Sequence, residues 1–119
     1  MTDFSSYTAG WRQRAQIERE RIETRRQRAL AAALNIARFL GEKFALTKVV
    51  GIGSTFDAER FSQRSDIDLV VYDLPSRDYF FASAQIRFMT DFKVDLIPHE
   101  SANELLKQRI LEEGVHLWP

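Results

Sequence analysis

The chain has 119 residues, 45% of them hydrophobic and 29% charged, with seventeen basic side chains against seventeen acidic ones; these are the proportions of one ordinary globular domain. No apolar run approaches the roughly 20 residues that a bilayer-crossing helix needs, and the opening MTDFSSYTAGW lacks a basic head followed by an apolar stretch, which argues against a secretory signal. The absence of cysteine excludes a disulfide framework, a thiolate nucleophile and cysteine-held zinc, and fits an intracellular protein.

From Thr8 to Phe44 there is no proline, and the only glycines are Gly10 and Gly41. Trp11, Ala15, Ile22, Ala29, Ala33, Ile36, Leu40 and Phe44 recur at spacings of three, four and seven, the period of an amphipathic helix. The spacing predicts one long helix or two in tandem: an Arg/Glu-rich arm over residues 1–28, then a packed helix opening a domain of residues 29–119. Residues 1–30 hold seven arginines against four acids (Asp3, Glu18, Glu20 and Glu23), so a basic arm precedes a slightly acidic body. Glu18 with Arg21 and Glu23 with Arg26 have the i, i+3 spacing that supports a solvated helix. The arm reads as a solvated face or as a docking helix for a partner, and its interspersed glutamates argue against a dedicated nucleic-acid patch.

LTKVVGIGS reads as a strand ending at a glycine pair, DIDLVVYD as a second, and KVDLIPH as a third closed by Pro98. Between the last two, Phe80, Ala84 and Phe88 form an i, i+4, i+8 stripe, predicting a helix that packs this stripe on the core. Ser101 and Glu104 have the spacing of a capping box that starts a last helix, and Gly114 is placed to stop it. VHLW is expected to be a short final strand, with Trp118 packed on the body. His99 and His116 are expected to be ordinary residues rather than ligands. The element order gives an α/β-type domain with a small sheet.

On a strand, Asp66 and Asp68 share a face, about 6.5–7 Å apart at the backbone. Asp95 sits early in the next strand between Val94 and Leu96. If those strands are neighbours, three carboxylates converge, raising one another's pKa unless a cation intervenes. Oxygen ligands without histidine or cysteine suit Mg²⁺ or Mn²⁺. Upstream, Gly53-Ser54 ends the first strand, where backbone N–H groups and the Ser54 hydroxyl can donate to phosphate oxygens. A phosphate cradle beside three carboxylates has the parts of a metal-assisted phosphoryl or nucleotidyl transfer site.

This Gly-Ser, eleven-residue loop and D-x-D resemble the signature of the polymerase-β-like nucleotidyltransferases, and the length resembles their minimal branch, abbreviated MNT. The resemblance extends over about residues 29–118, through a helix, KVVGIGS, SDIDLVVYDLP, FKVDLIPHE and LLKQRILEEGVHLW. It implies an α/β (α+β) nucleotidyltransferase fold, a small mixed sheet flanked by helices. It implies that Asp66 and Asp68 bind metals and nucleotide, and that Asp95 completes the metal site and helps activate an acceptor hydroxyl. Gly53 and Ser54 would hold the β- and γ-phosphates, with Mg²⁺ or Mn²⁺ as cofactor and ATP as substrate.

The chain further resembles stand-alone MNT antitoxins of HEPN/MNT pairs. That implies a cytoplasmic, Mg-dependent protein adenylyltransferase that silences a partner HEPN ribonuclease toxin, within a hetero-oligomer, by transferring AMP to a tyrosine hydroxyl. Two departures stand out in loop 55–65: it is one residue longer than the family's usual spacing, and Phe56-Asp57 replaces the usual small-then-basic pair. An acid there would repel a triphosphate, and Arg60 or Arg64 could compensate. The alternatives are an antitoxin that acts by binding alone and a small-molecule adenylyltransferase, which usually carries a further acceptor domain.

Overall fold

The computed structural model describes residues 4–119; the first three positions, including Asp3 and the start of the expected arm, lie outside the described residues. Helix α1 (Phe4–Phe44) is one unbroken helix of 41 residues, about 60 Å long at 1.5 Å per residue. Its two halves share one period but not one environment. Every residue from Trp11 to Glu20 is exposed, whereas Ala29, Ala33, Ile36, Ala37 and Leu40 are sealed in the core. The arm stretches the molecule to 70 × 31 × 21 Å, with a radius of gyration of 18.4 Å against about 13–14 Å for a compact chain of this length. On the arm, Arg26 Nη1 lies 3.7 Å from Glu23 Oε1, the expected i, i+3 pair.

The helix closes at Ala45, in the left-handed region with φ 52°, where Leu46 N–H donates to Gly41 O at 3.1 Å. The chain then enters the sheet: β1 (Lys48–Ile52), β2 (Ile67–Tyr72), β3 (Val94–Pro98) and β4 (Val115–Trp118). Their spatial order is β3-β2-β1-β4. β1 pairs antiparallel with both β2 and β4, while β2 and β3 run parallel. A parallel pair needs a crossover, which α2 (Tyr79–Ile86) supplies. Helix α3 (Glu104–Glu113) joins β3 to β4.

α1 and α2 cover one face of the sheet, over Val49, Ile67, Leu69, Val71 and Leu96. α3 covers the other, where Ile110 and Leu106 meet Val50, Ile52 and Val70. The alternation of strand side chains thus sorts β2 into odd residues under α1 and even residues on the α3 face. No helix among the described residues is long and apolar enough to cross a membrane.

Two expectations are overturned. α2 forms, but the stripe of Phe80, Ala84 and Phe88 faces away from the core: Phe80 is 82% and Phe88 87% exposed. The helix instead buries Ala82 and Ile86, and Tyr79 turns its hydroxyl to donate to Leu96 O at 3.0 Å. Nor does Ser101 cap α3; it lies in a 3-10 turn, His99–Ser101, and Asn103 is the cap, its Oδ1 accepting from Leu106 N–H at 2.8 Å. Gly114 ends α3 as expected, β4 forms, and Trp118 docks on the body with Nε1 donating to Leu46 O at 3.2 Å. His99 stacks on Tyr72 with ring centroids 4.2 Å apart, and His116 is exposed.

Candidate active site

β1 ends where Gly53 turns with φ 90° into a 3-10 turn, Ser54–Phe56. Few side chains tolerate that angle, and space forbids one as well, since a Cβ at Gly53 would stand 2.9 Å from Asp68 Oδ2. The bare glycine lets a carboxylate of β2 lean directly on the turn. The loop is then tied back to the strand it leads into. Ser54 Oγ donates to Ser65 Oγ at 2.7 Å, and the fully buried Thr55 donates from Oγ1 to Asp66 O at 2.7 Å. Two hydroxyls therefore hold the Gly-Ser turn against the start of β2.

In the parallel register Asp68 pairs with Asp95, and across the antiparallel ladder Asp68 faces Ile52. Asp68 and Asp95 so share the α3 face, with Asp66 one residue before β2 begins. Asp68 is half-buried and Asp95 exposed. Burial, then the neighbouring charges of Asp95 and Asp66, push the Asp68 carboxyl above its ordinary value, and Arg109 and Lys93 partly offset the rise. Asp66 Oδ2 lies 3.7 Å from Lys93 Nζ. Among the described residues no three acidic or imidazole groups already stand at ion-holding spacing. The donor set nonetheless fits a hard cation: carboxylate oxygens, one of them raised in pKa by burial and then by the other two.

The atypical loop residues have local roles. The Phe56 ring lies over Gly51, where an added Cβ would come within 2.3 Å of it. Asp57 does not present a free charge to the site. Arg60 Nε donates to its Oδ2 at 2.8 Å and Glu59 N–H to its Oδ1 at 3.0 Å, and these bonds hold its carboxyl below the usual range. A cleft of about 420 Å³ opens beside this loop, lined by Gly53, Phe56, Asp57, Ala58, Arg60 and Glu113. A second, of about 610 Å³, runs between α2 and the open edge of β3 and reaches Lys93 and Asp95. A third, bounded by Asp73, Pro75 and Pro98, lies at the far end of β2, about 17 Å along the strand from Asp68.

No family model and no curated protein matches the chain. Solved structures do. A toxin–antitoxin complex with AMP-PNP aligns at a TM-score of 0.60 and 24% identity, over 71% of this chain and 72% of that one. A complex of a tri-AMPylated Shewanella oneidensis HEPN toxin with its MNT antitoxin aligns at 0.57 and 22%, over 76% and 71%. A protein described as a minimal nucleotidyltransferase aligns at 0.54 and 20%, over 82% of this chain and 94% of that one. The chain has the minimal nucleotidyltransferase fold.

Of the expected site residues Gly53, Ser54, Asp66, Asp68 and Asp95, the structure gathers Gly53, Asp68 and Asp95 at one end of the sheet. It turns Ser54 toward Ser65 and Asp66 toward Lys93. Four further residues of this candidate site carry no motif of their own. Thr55 and Ser65 brace the loop, and their only sequence trace is a hydroxyl beside each motif. Arg109 acts electrostatically on Asp68 and binds Glu113. That pair has an i, i+4 spacing like many others on solvated helices, so only the docking of α3 marks it.

Proposed function

We propose that the chain is an antitoxin-type nucleotidyltransferase that moves AMP from ATP to a hydroxyl, that of a tyrosine, on a partner HEPN ribonuclease toxin and thereby neutralises it. The observation that carries this reading is the in-register pairing of Asp68 with Asp95 beside the Gly53 turn. The solved complexes of the same fold support it, one holding AMP-PNP and another an AMPylated HEPN toxin.

Asp66, Asp68 and Asp95 would hold Mg²⁺, which supplies positive charge to the phosphates and to the acceptor oxygen as it loses its proton. Asp95, exposed and reached by the cleft along β3, takes the proton of the acceptor hydroxyl. The freed oxygen attacks the α-phosphorus, a new P–O ester bond forms, the α–β anhydride bond breaks, and pyrophosphate leaves. The Gly53–Ser54 turn donates its N–H groups to the departing phosphates. Asp57 does not repel them, because Arg60 already neutralises it.

Incubating the protein with the HEPN partner, Mg²⁺ and ATP, and weighing the partner by mass spectrometry, tests the proposal. Addition of AMP that disappears with Asp68→Asn is expected. Neutralisation of the toxin without a change in mass would leave binding alone as the mode of action.

A further inference from the structure

The loop that carries Asp57 in place of a basic residue meets α3 through Arg60. Arg60, in that loop, and Arg109, on α3, converge on a single oxygen: Arg60 Nη2 lies 3.7 Å and Arg109 Nε 3.2 Å from Glu113 Oε2. Glu113 lines the cleft that Gly53 and Arg60 also line. All three side chains are about half exposed. One carboxylate between two guanidiniums is the arrangement an anion site adopts when it is filled, here by a group of the protein itself. Guanidinium forks bind phosphate as readily as carboxylate, and ion pairs this exposed are held weakly, so a polyanion can replace Glu113.

We propose that Arg60 and Arg109 are the phosphate-binding pair of the site, that they grip the triphosphate of the nucleotide, and that Glu113 is an internal competitor that holds both guanidiniums until the nucleotide arrives. The inference rests on the nucleotidyltransferase reading of the same site and adds to it the residues that hold the polyphosphate. Arg109 is the stronger contact. Its guanidinium bonds one carboxylate, Glu113, whereas Arg60 is also bound through Nε to Asp57.

Calorimetric titration of the full chain with ATP, inorganic tripolyphosphate and adenosine, each with and without Mg²⁺, tests this. Losing one charge-assisted bond weakens binding about 10- to 100-fold, so Arg109→Gln is expected to lose that much toward both ATP and tripolyphosphate and nothing toward adenosine. Arg60→Gln loses less. Arg109→Lys, which keeps the charge without the fork, recovers part of the loss and controls for a folding defect. Glu113→Gln tightens both polyphosphates about two- to fivefold, the worth of an exposed ion pair. Wild-type binding with unchanged affinity in both arginine variants overturns the pair while leaving the nucleotidyltransferase site standing. Wild-type protein that binds neither polyphosphate overturns both readings, and weaker binding by Glu113→Gln overturns the competitor role.

Discussion

Strand β2 carries two proteins' worth of chemistry on alternate residues. Ile67, Leu69 and Val71 have no exposed surface and lie under α1. Asp68, between the first two, belongs to the opposite face and leans on Gly53 beside Asp95. One face is closed and gains from every carbon it buries. The other is half open and carries like charges that make it less stable than an apolar face of the same shape. The contrast places fold and site on a single six-residue element, so substitutions one position apart should have opposite effects.

The largest effect is expected on the closed face. Leu69→Ala removes a fully buried side chain and should lower stability by about 2–5 kcal/mol, much of what a domain of this size possesses. Chemical denaturation measures it. A loss below about 1 kcal/mol would mean that α1 does not seal this face as described.

On the open face the sign reverses. The Asp68 carboxyl is pushed up chiefly by burial and then by Asp95 and Asp66. Between its unfolded value of about 3.9 and its raised folded value, the native state holds more proton than the unfolded one, so stability falls as pH rises through that window. Above that window the full penalty is present. Asp68→Asn should therefore melt a few degrees higher than the wild type at pH 7 in chelator, and the gap should close as the pH falls toward 4. Mg²⁺ should raise the wild-type melting temperature and leave the variant's unchanged, while the variant loses AMP transfer. A variant that melts lower at neutral pH would show that the carboxylates are not in conflict.

Gly53→Ala lies between the two faces in effect. The new methyl group meets Asp68 Oδ2 at 2.9 Å, on a backbone with φ 90° that alanine resists. It should cost about 1–3 kcal/mol and displace the carboxylate, lowering transfer activity more than the melting shift explains. Activity equal to the wild type would remove the Gly53–Asp68 contact from the mechanism.

Period and residue type made the strands and both faces of β2 legible in the sequence: a β-branched run that opens on Asp66 and Asp68 with an isoleucine between them has few other ways to fold. The pairing of Asp68 with Asp95 needed only that β2 and β3 be neighbours. What sequence could not supply were contacts set by tertiary docking. The neutralisation of Asp57 by Arg60 is local, yet nothing in FDAER separates it from an exposed acid facing the site. The convergence of Arg60 and Arg109 on Glu113 joins residues about fifty positions apart, and it exists only because α3 lies across the face that carries Asp68.

α2 shows the same limit on a smaller scale and supports the smallest predicted effect. Two apolar sets fit its period: Phe80, Ala84 and Phe88, which is larger, and Tyr79, Ala82 and Ile86, which is buried. Size favours the first set; geometry selects the second. Tyr79 reaches Leu96 O with its hydroxyl, Ala82 lets the helix come close to the sheet, and Phe81 turns sideways to meet Phe44 edge-on at 6.3 Å. Phe80→Ser and Phe88→Ser should each change stability by no more than about 0.5 kcal/mol, whereas Ile86→Ala should cost about 2–5 kcal/mol. Comparable losses at Phe88 and Ile86 would rotate the helix and make the larger aromatic stripe the core after all.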